Sequence, residues 1–244
     1  MRAILTYHSI DGSGSAVSVS PSSFRRQIEW LVAEGVRVVP LAELPALPPE
    51  SRAVALTFDD GVANLVSEAA PVLQANGMTA TVFVVTNRVG KDNRWEGRSR
   101  YRSPALPLLG WDELGRLASR GWGIGSHSRT HCRLPGCGDG QLDDELDGSA
   151  GDIAAALGTR PRWLAYPYGA LDARVAARAA ATYELACTAE LRPLGVRVPP
   201  MRLPRIDAWY LRSGLRRAGW GSPAFRAILG ARRLIRAART VVLP

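Results

Sequence analysis

Short aliphatic runs and helix-period stretches alternate along this chain, and that alternation restricts it, more than any other feature, to a parallel sheet wrapped by helices. The strand-like runs fall at residues 2–7, 36–39, 53–58, 79–85, 122–125, 163–166, 183–188 and 202–206. Between them, Ser20-Pro21 supplies a cap and a first-turn proline, after which Phe24, Ile28, Leu31 and Val32 recur at helical spacing up to Gly35. Further helices are expected at 65–75, 112–119, 142–157 and 172–181, several of them stopped by Gly77, Gly121 or Gly158. Seven or eight such units predict a single-domain α/β fold that closes, or nearly closes, into a barrel, because strand ends then converge on one face. The polar insertion 87–103 is expected to be a loop, a candidate lid at that face.

The run Ala53-Val54-Ala55-Leu56-Thr57-Phe58 delivers two adjacent carboxylates, Asp59 and Asp60, into a glycine turn at Gly61. One aspartate would satisfy the backbone groups at the end of a strand. Two side by side repel unless a cation or a proton stands between them, so the pair calls for a partner elsewhere in the chain.

That partner is expected after the 122–125 run, in Gly125-Ser126-His127-Ser128-Arg129-Thr130-His131. The chain has three histidines, and two of them stand here, four apart at a strand end, the spacing that lets both imidazoles face one divalent ion. Two imidazoles and one carboxylate leave coordination positions open for water and substrate, as catalytic zinc or related sites do. The second carboxylate then remains as a base toward water, whose pKa such an ion lowers to about 7.

Two more strand ends carry candidates. Ala165-Tyr166-Pro167-Tyr168-Gly169 is either an ordered aromatic turn or one that aims the Tyr168 backbone N–H at a developing oxyanion, with Tyr166, Pro167 and Tyr168 walling a substrate pocket. His8 closes the first run. It is the only remaining histidine, and amide hydrolysis needs an acid to protonate the departing amine.

Together these three stretches resemble, in the same order, the first three motifs of the polysaccharide deacetylase family, carbohydrate esterase family 4. The resemblance extends from about Leu5 to Asp207. It implies a distorted (β/α)7 barrel over residues 1–210 and metal-dependent removal of acetyl groups from N-acetylated sugars. By the same resemblance Asp59 is the general base, Asp60, His127 and His131 are ligands of a divalent metal, zinc first with nickel or cobalt as alternatives, and the Tyr168 amide serves the oxyanion. Two departures stand out: Ala165 occupies the position of an arginine that braces the base, and no histidine follows His131. A branch of the family that begins with a Tyr-His strand uses its early histidine as the acid, which points to Tyr7-His8. Arg205, in Leu203-Pro204-Arg205-Ile206-Asp207, is the candidate replacement for the missing arginine, with Asp207 as its partner or as a tuning carboxylate. A barrel without the chemistry, binding a glycan or polyanion, and a hydrolase of a non-sugar amide are the competing readings.

Charge is concentrated at one end. Residues 201–244 hold ten arginines against one acid, Asp207, an excess equal to the whole net charge of +9. This argues against a nucleic-acid partner for the barrel and for a local role of segment 211–244. From Ala231 on, Arg232, Arg233, Arg236 and Arg239 share one helical face and Leu234, Ile235, Ala238, Val241 and Val242 the other. The expected helix either packs on the barrel with its arginines in water or rests on anionic lipid through residues 231–244. The first residues turn polar too early for a signal peptide and no run reaches the length of a membrane span, so the expectation is a cytoplasmic protein, at most peripheral at the inner membrane face. Cys132, Cys137 and Cys187 show neither zinc-knuckle nor redox spacing and are expected to be packed thiols.

Overall fold

In the computed structural model the described residues are 1–95, 105–212 and 215–242, with side chains described as far as Arg236 in the last helix. Eight strands form one sheet: β1 (Arg2–Tyr7), β2 (Arg37–Val38), β3 (Ala53–Phe58), β4 (Thr81–Val84), β5 (Gly123–Ser126), β6 (Trp163–Ala165), β7 (Leu185–Cys187) and β8 (Ile206–Asp207). Every pairing is parallel, in the order β8-β1-β3-β4-β5-β6-β7, with β2 alongside the start of β3. The two ends meet through a single parallel bridge between Cys187 and Leu203. The sheet is therefore a distorted barrel whose seam is one bridge wide.

The seam explains the largest difference from the expected strands. Residues 200–202 form a 3-10 turn and the β8 ladder begins only at Ile206, because Pro204 has no N–H to contribute to a ladder. Strand β5 carries glycine at 123 and 125 for a steric reason: a Cβ on Gly125 would lie 2.6 Å from the Phe83 ring. Side chains of β4 and β6 fill that space, so only glycine lets the three strands curl.

Helices α1 (Pro21–Ala33), α2 (Ala70–Ala75), α3 (Trp111–Ser119), α4 (Asp139–Asp143), α5 (Ser149–Leu157), α6 (Ala173–Thr182) and α7 (Pro223–Val242) surround the sheet. Ser20 caps α1, its Oγ accepting from Ser23 N. Phe24, Ile28 and Leu31 of that helix are buried in the main core, where Tyr7 stacks on Phe58 at 5.2 Å and meets Phe24 edge-on. The helix expected over 142–157 begins earlier, at Asp139. A π-helical turn, Asp144–Gly148, divides it into α4 and α5.

The basic end is arranged differently from the expected amphipathic packing. Phe225 and Leu229 of α7 are buried against the barrel. One turn further, Arg232 takes the inward position, with its guanidinium 5.1 Å from the Tyr210 ring and bonded to the Tyr210 carbonyl, while Arg233 pairs with Glu190 at 3.2 Å. Leu234 and Ile235 consequently face outward, 73% and 54% exposed. The helix keeps one face on the barrel, and among the described side chains those that fall on it after Leu229 belong to Arg232 and Arg236. Among the described residues no helix is long and apolar enough to cross a membrane.

Candidate active site and metal centre

The C-terminal ends of β1, β3, β5 and β6 bring His8, Asp59, Asp60, His127 and Tyr168 to one face, as parallel strands of a barrel must, and Arg205, the residue that leads into β8, joins the same cluster. His127 Nε2 and His131 Nε2 lie 3.5 and 3.6 Å from Asp60 Oδ1. One donor atom from each of the three residues falls within 4.8 Å of the others. His127 Nδ1 sits 2.7 Å from the Ala165 carbonyl oxygen; donating its proton there leaves the Nε2 lone pair facing Asp60. The His131 ring is fixed by packing, stacked on Trp95 at 4.4 Å and edge-on to Tyr168 at 4.7 Å.

Electrostatics fit a cation. Asp60 Oδ1 is buried and makes no hydrogen bond. Burial pushes the Asp60 carboxyl up against the pull of His8 and His127, and burial together with those two neighbours holds His131 well below the usual imidazole value. Two imidazole nitrogens facing an unsatisfied carboxylate oxygen form a donor set that a divalent ion completes.

Asp59 has the opposite environment. It is 3% exposed, and burial alone would raise its carboxyl. The Arg205 guanidinium outweighs that, with Nη1 2.6 Å from Oδ1 and Nη2 2.7 Å from Oδ2, and with His127 and His8 also nearby the group is held well below the ordinary carboxylate range. Arg205 is itself anchored, its Nε donating to the Thr188 carbonyl at 3.0 Å and its Nη1 to Thr57 Oγ1 at 3.3 Å. His8 Nε2 stands 3.9 Å from Asp59 Oδ2, with the His8 side chain 25% exposed. Asp207 pairs with neither; its Oδ1 accepts from Trp209 N at 2.9 Å, and burial raises its carboxyl despite the proximity of His8.

The backbone of the cluster is strained. Among the described residues the non-glycine positions with positive φ are Asp60 (68°), Ser128 (64°), His131 (65°) and Tyr168 (59°). Each costs on the order of 1 kcal/mol or more, and all four lie in this one site.

Placement differs among the turn residues 166–168. Tyr168 is half exposed beside His131, with the Arg133 guanidinium 5.5 Å above its ring. Tyr166 is fully buried in a core cluster with Leu134, Leu142 and Val175, its hydroxyl donating to the Met201 carbonyl, and Pro167 is buried as well. Their side chains therefore order the turn from behind, where a wall of the pocket was expected. Of the insertion 87–103, residues 96–103 lie outside the described residues. Trp95 is the residue that sequence reading passed over; its signal was a lone tryptophan in an arginine-rich polar run. Cys132 and Cys137, expected to be packed thiols, are free and have their sulfurs 3.2 Å apart across the 3-10 turn Leu134–Gly136. Burial and that contact push the Cys132 thiol up to about 12, and its sulfur is not among the close donor atoms of Asp60, His127 and His131.

Comparison with known proteins agrees with this geometry. The sequence profile of the polysaccharide deacetylase family matches residues 46–186, more than half of the chain. The Bacillus subtilis protein YxkH is 26% identical over 193 residues, covering 77% of this chain and 64% of the relative. A poly-β-1,6-N-acetyl-D-glucosamine N-deacetylase of Staphylococcus epidermidis is 28% identical over 168 residues, covering 64% and 55%. The chain thus spans less than two thirds of the length of these relatives. Among solved structures, IcaB of Ammonifex degensii superposes with a TM-score of 0.72 at 23% identity, over 92% of this chain and 97% of that one, and a polysaccharide deacetylase of Bacillus cereus with 0.69 at 22%, over 84% and 64%. Both share the fold described here, and the profile match over residues 46–186 shows that this chain belongs to the polysaccharide deacetylase family.

Proposed function

We propose that this chain hydrolyses the acetamide of an N-acetylated sugar, releasing acetate and leaving the free amine. The observation that carries this reading is the pairing of two unlike carboxylates at one strand end: Asp60, with an unsatisfied oxygen facing the Nε2 atoms of His127 and His131, and Asp59, held ionised by Arg205. Asp60, His127 and His131 would hold the ion, and two nitrogens with one carboxylate oxygen suit zinc, with nickel and cobalt as substitutes. Such an ion supplies a polarised carbonyl and a water whose pKa falls to about 7.

The chain's own residues do the rest. Asp59, ionised at neutral pH, takes the proton of the attacking water. Arg205 keeps its two oxygens in one plane and takes over the bracing that Ala165 cannot give. The Tyr168 amide, in its left-handed turn, donates to the oxyanion, and the exposed Tyr168 ring gives the sugar an apolar contact. His8, at the edge of the cluster, protonates the departing amine. The Staphylococcus epidermidis relative is named for poly-β-1,6-N-acetyl-D-glucosamine, so an oligomer or polymer of N-acetylglucosamine is the proposed substrate class.

Acetate release from a panel of N-acetylated sugars, free, polymeric and carrier-linked, with zinc-loaded protein tests the reading. Release from at least one is expected. A zinc-loaded protein that releases none but still retains glycan would favour the binding-only alternative.

For the basic end we propose contact with an anionic membrane surface, which would hold the enzyme peripherally at the inner face. The support is the outward stripe of α7, in which exposed Ala224, Ala227, Ala231, Leu234 and Ile235 are flanked by exposed Arg226 and Arg233. Apolar residues bordered by cations are the pattern of an interfacial helix.

A further inference from the structure

The turn that carries the second histidine is held by a residue that touches neither imidazole. From Ser128 to His131 the chain has no regular structure, and two of its four residues are left-handed. All four backbone amides nevertheless have partners, and every partner is a side chain. Ser128 N donates to Ser126 Oγ at 3.1 Å and His131 N to Ser128 Oγ at 3.1 Å. The two amides between them, of Arg129 and Thr130, both donate to Glu145 Oε2 at 2.9 Å, and the Thr130 hydroxyl donates to Glu145 Oε1. Glu145 is the only acceptor of these amides that comes from another element.

Its surroundings suit that task alone. Glu145 is 1% exposed. The nearby guanidinium of Arg129 turns away from it to Asp144 and Asp152, so the buried carboxylate is answered by the turn's two amides and one hydroxyl. A carboxylate accepting several such bonds is among the stronger anchors a backbone can have. Glu145 sits in the π-helical turn Asp144–Gly148, whose wider ring displaces the helix locally. One turn on, Ser149 Oγ bonds the Glu145 carbonyl at 2.7 Å and meets Ser126 Oγ of β5 at 2.8 Å, bracing the same helix against the strand that leads to His127.

We infer that Glu145 is a positioning residue for the metal centre: its carboxylate sets the Ser128–His131 turn so that His131 meets His127 and Asp60. The inference rests on the metal reading given above and adds a residue to it that makes no contact with the ion. Removing the carboxylate leaves two part-buried amides without the acceptor that ties the turn to the helix, and the turn shifts as they turn to water, carrying His131 with it.

The test is zinc affinity of the full chain, freed of metal by chelation and titrated in competition with a chromophoric chelator, with metal-free thermal unfolding alongside. Glu145→Ala should stay folded and bind zinc about 10- to 100-fold more weakly. Glu145→Gln should recover affinity to within a few fold, because its amide oxygen accepts both backbone protons and its NH2 donates to the Thr130 hydroxyl. A merely structural role would lower the melting temperature of Glu145→Ala and leave the affinity of its folded fraction unchanged, and that result would overturn the inference. Should Glu145→Ala not fold, Glu145→Asp retracts the carboxylate by one methylene and carries the same test, with weakened zinc binding expected and unchanged binding overturning it. Zinc binding by the parent and equally by the variants sinks this inference alone, whereas no zinc binding by the parent sinks the metal reading with it.

Discussion

Arg205 grips both oxygens of Asp59, at 2.6 and 2.7 Å, across 146 positions of sequence, and both side chains are 3% exposed. Planar, bidentate and buried, this contact is one that a lysine cannot reproduce. It stands at the seam of the barrel, where the segment leading into β8 meets the end of β7 and Arg205 Nε bonds the Thr188 carbonyl, so the closure of the sheet and the state of its central carboxylate depend on the same few residues.

Arg205→Ala should therefore lose both stability and turnover. Stranding a buried carboxylate costs about 3–5 kcal/mol, and a base free to rotate should lower kcat by about 100-fold. Arg205→Lys should recover part of the stability and little of the rate. Thermal unfolding and acetate release measured on the same samples separate the two effects.

The proposed metal ligands and the proposed acid–base pair should divide cleanly by metal content. Asp60→Ala and His131→Ala are expected to lose bound zinc in elemental analysis. Asp59→Ala and His8→Ala should retain it while turnover falls by about 10²- to 10⁴-fold. Full activity in either of the latter two removes that residue from the proposed mechanism.

The two neighbouring aspartates should give opposite pH signatures in metal-free protein. The folded value of Asp59 is depressed, so its contribution to stability is complete above the unfolded value of about 3.9 and is lost as pH falls through the lower folded value. The folded value of Asp60 is raised, so its contribution is present below the unfolded value and is lost as pH rises through the folded one. Asp60→Asn is accordingly expected to be more stable than its parent at pH 7 and to lose that advantage near pH 4, whereas Asp59→Asn is less stable across the same range. Melting curves from pH 3 to 8 decide it.

Leu234 and Ile235 should govern membrane contact if α7 rests on lipid. Cosedimentation with vesicles containing an anionic lipid is expected for the parent and to fall sharply for Leu234→Glu with Ile235→Glu, with no change in acetate release from a soluble substrate. Equal sedimentation of parent and variant, or none by the parent, ends the proposal.

Much of this molecule is legible in short stretches. The Ala53–Phe58 strand reads from its unbroken apolar run, and Asp59-Asp60 and His127-x3-His131 read as metal chemistry because their spacing lies within a single strand end or turn. Local pattern also located most helices. It did not show the π turn at Asp144–Gly148, since a helix of either pitch places apolar residues at similar intervals.

The sequence by itself determined which side chains arrive at the end of each strand, because alternation and turn residues act over a few neighbours. The tertiary structure decided what those side chains face. It paired Asp59 with Arg205, set His8 beside that pair and stacked Trp95 on His131. It also turned Tyr166 into the core, and it placed Leu234 and Ile235 in water by giving the inward face of α7 to Arg232. Each outcome depends on how the barrel closes and which surface a helix finds beneath it. Those are contacts between residues tens to hundreds of positions apart, on which no local periodicity bears.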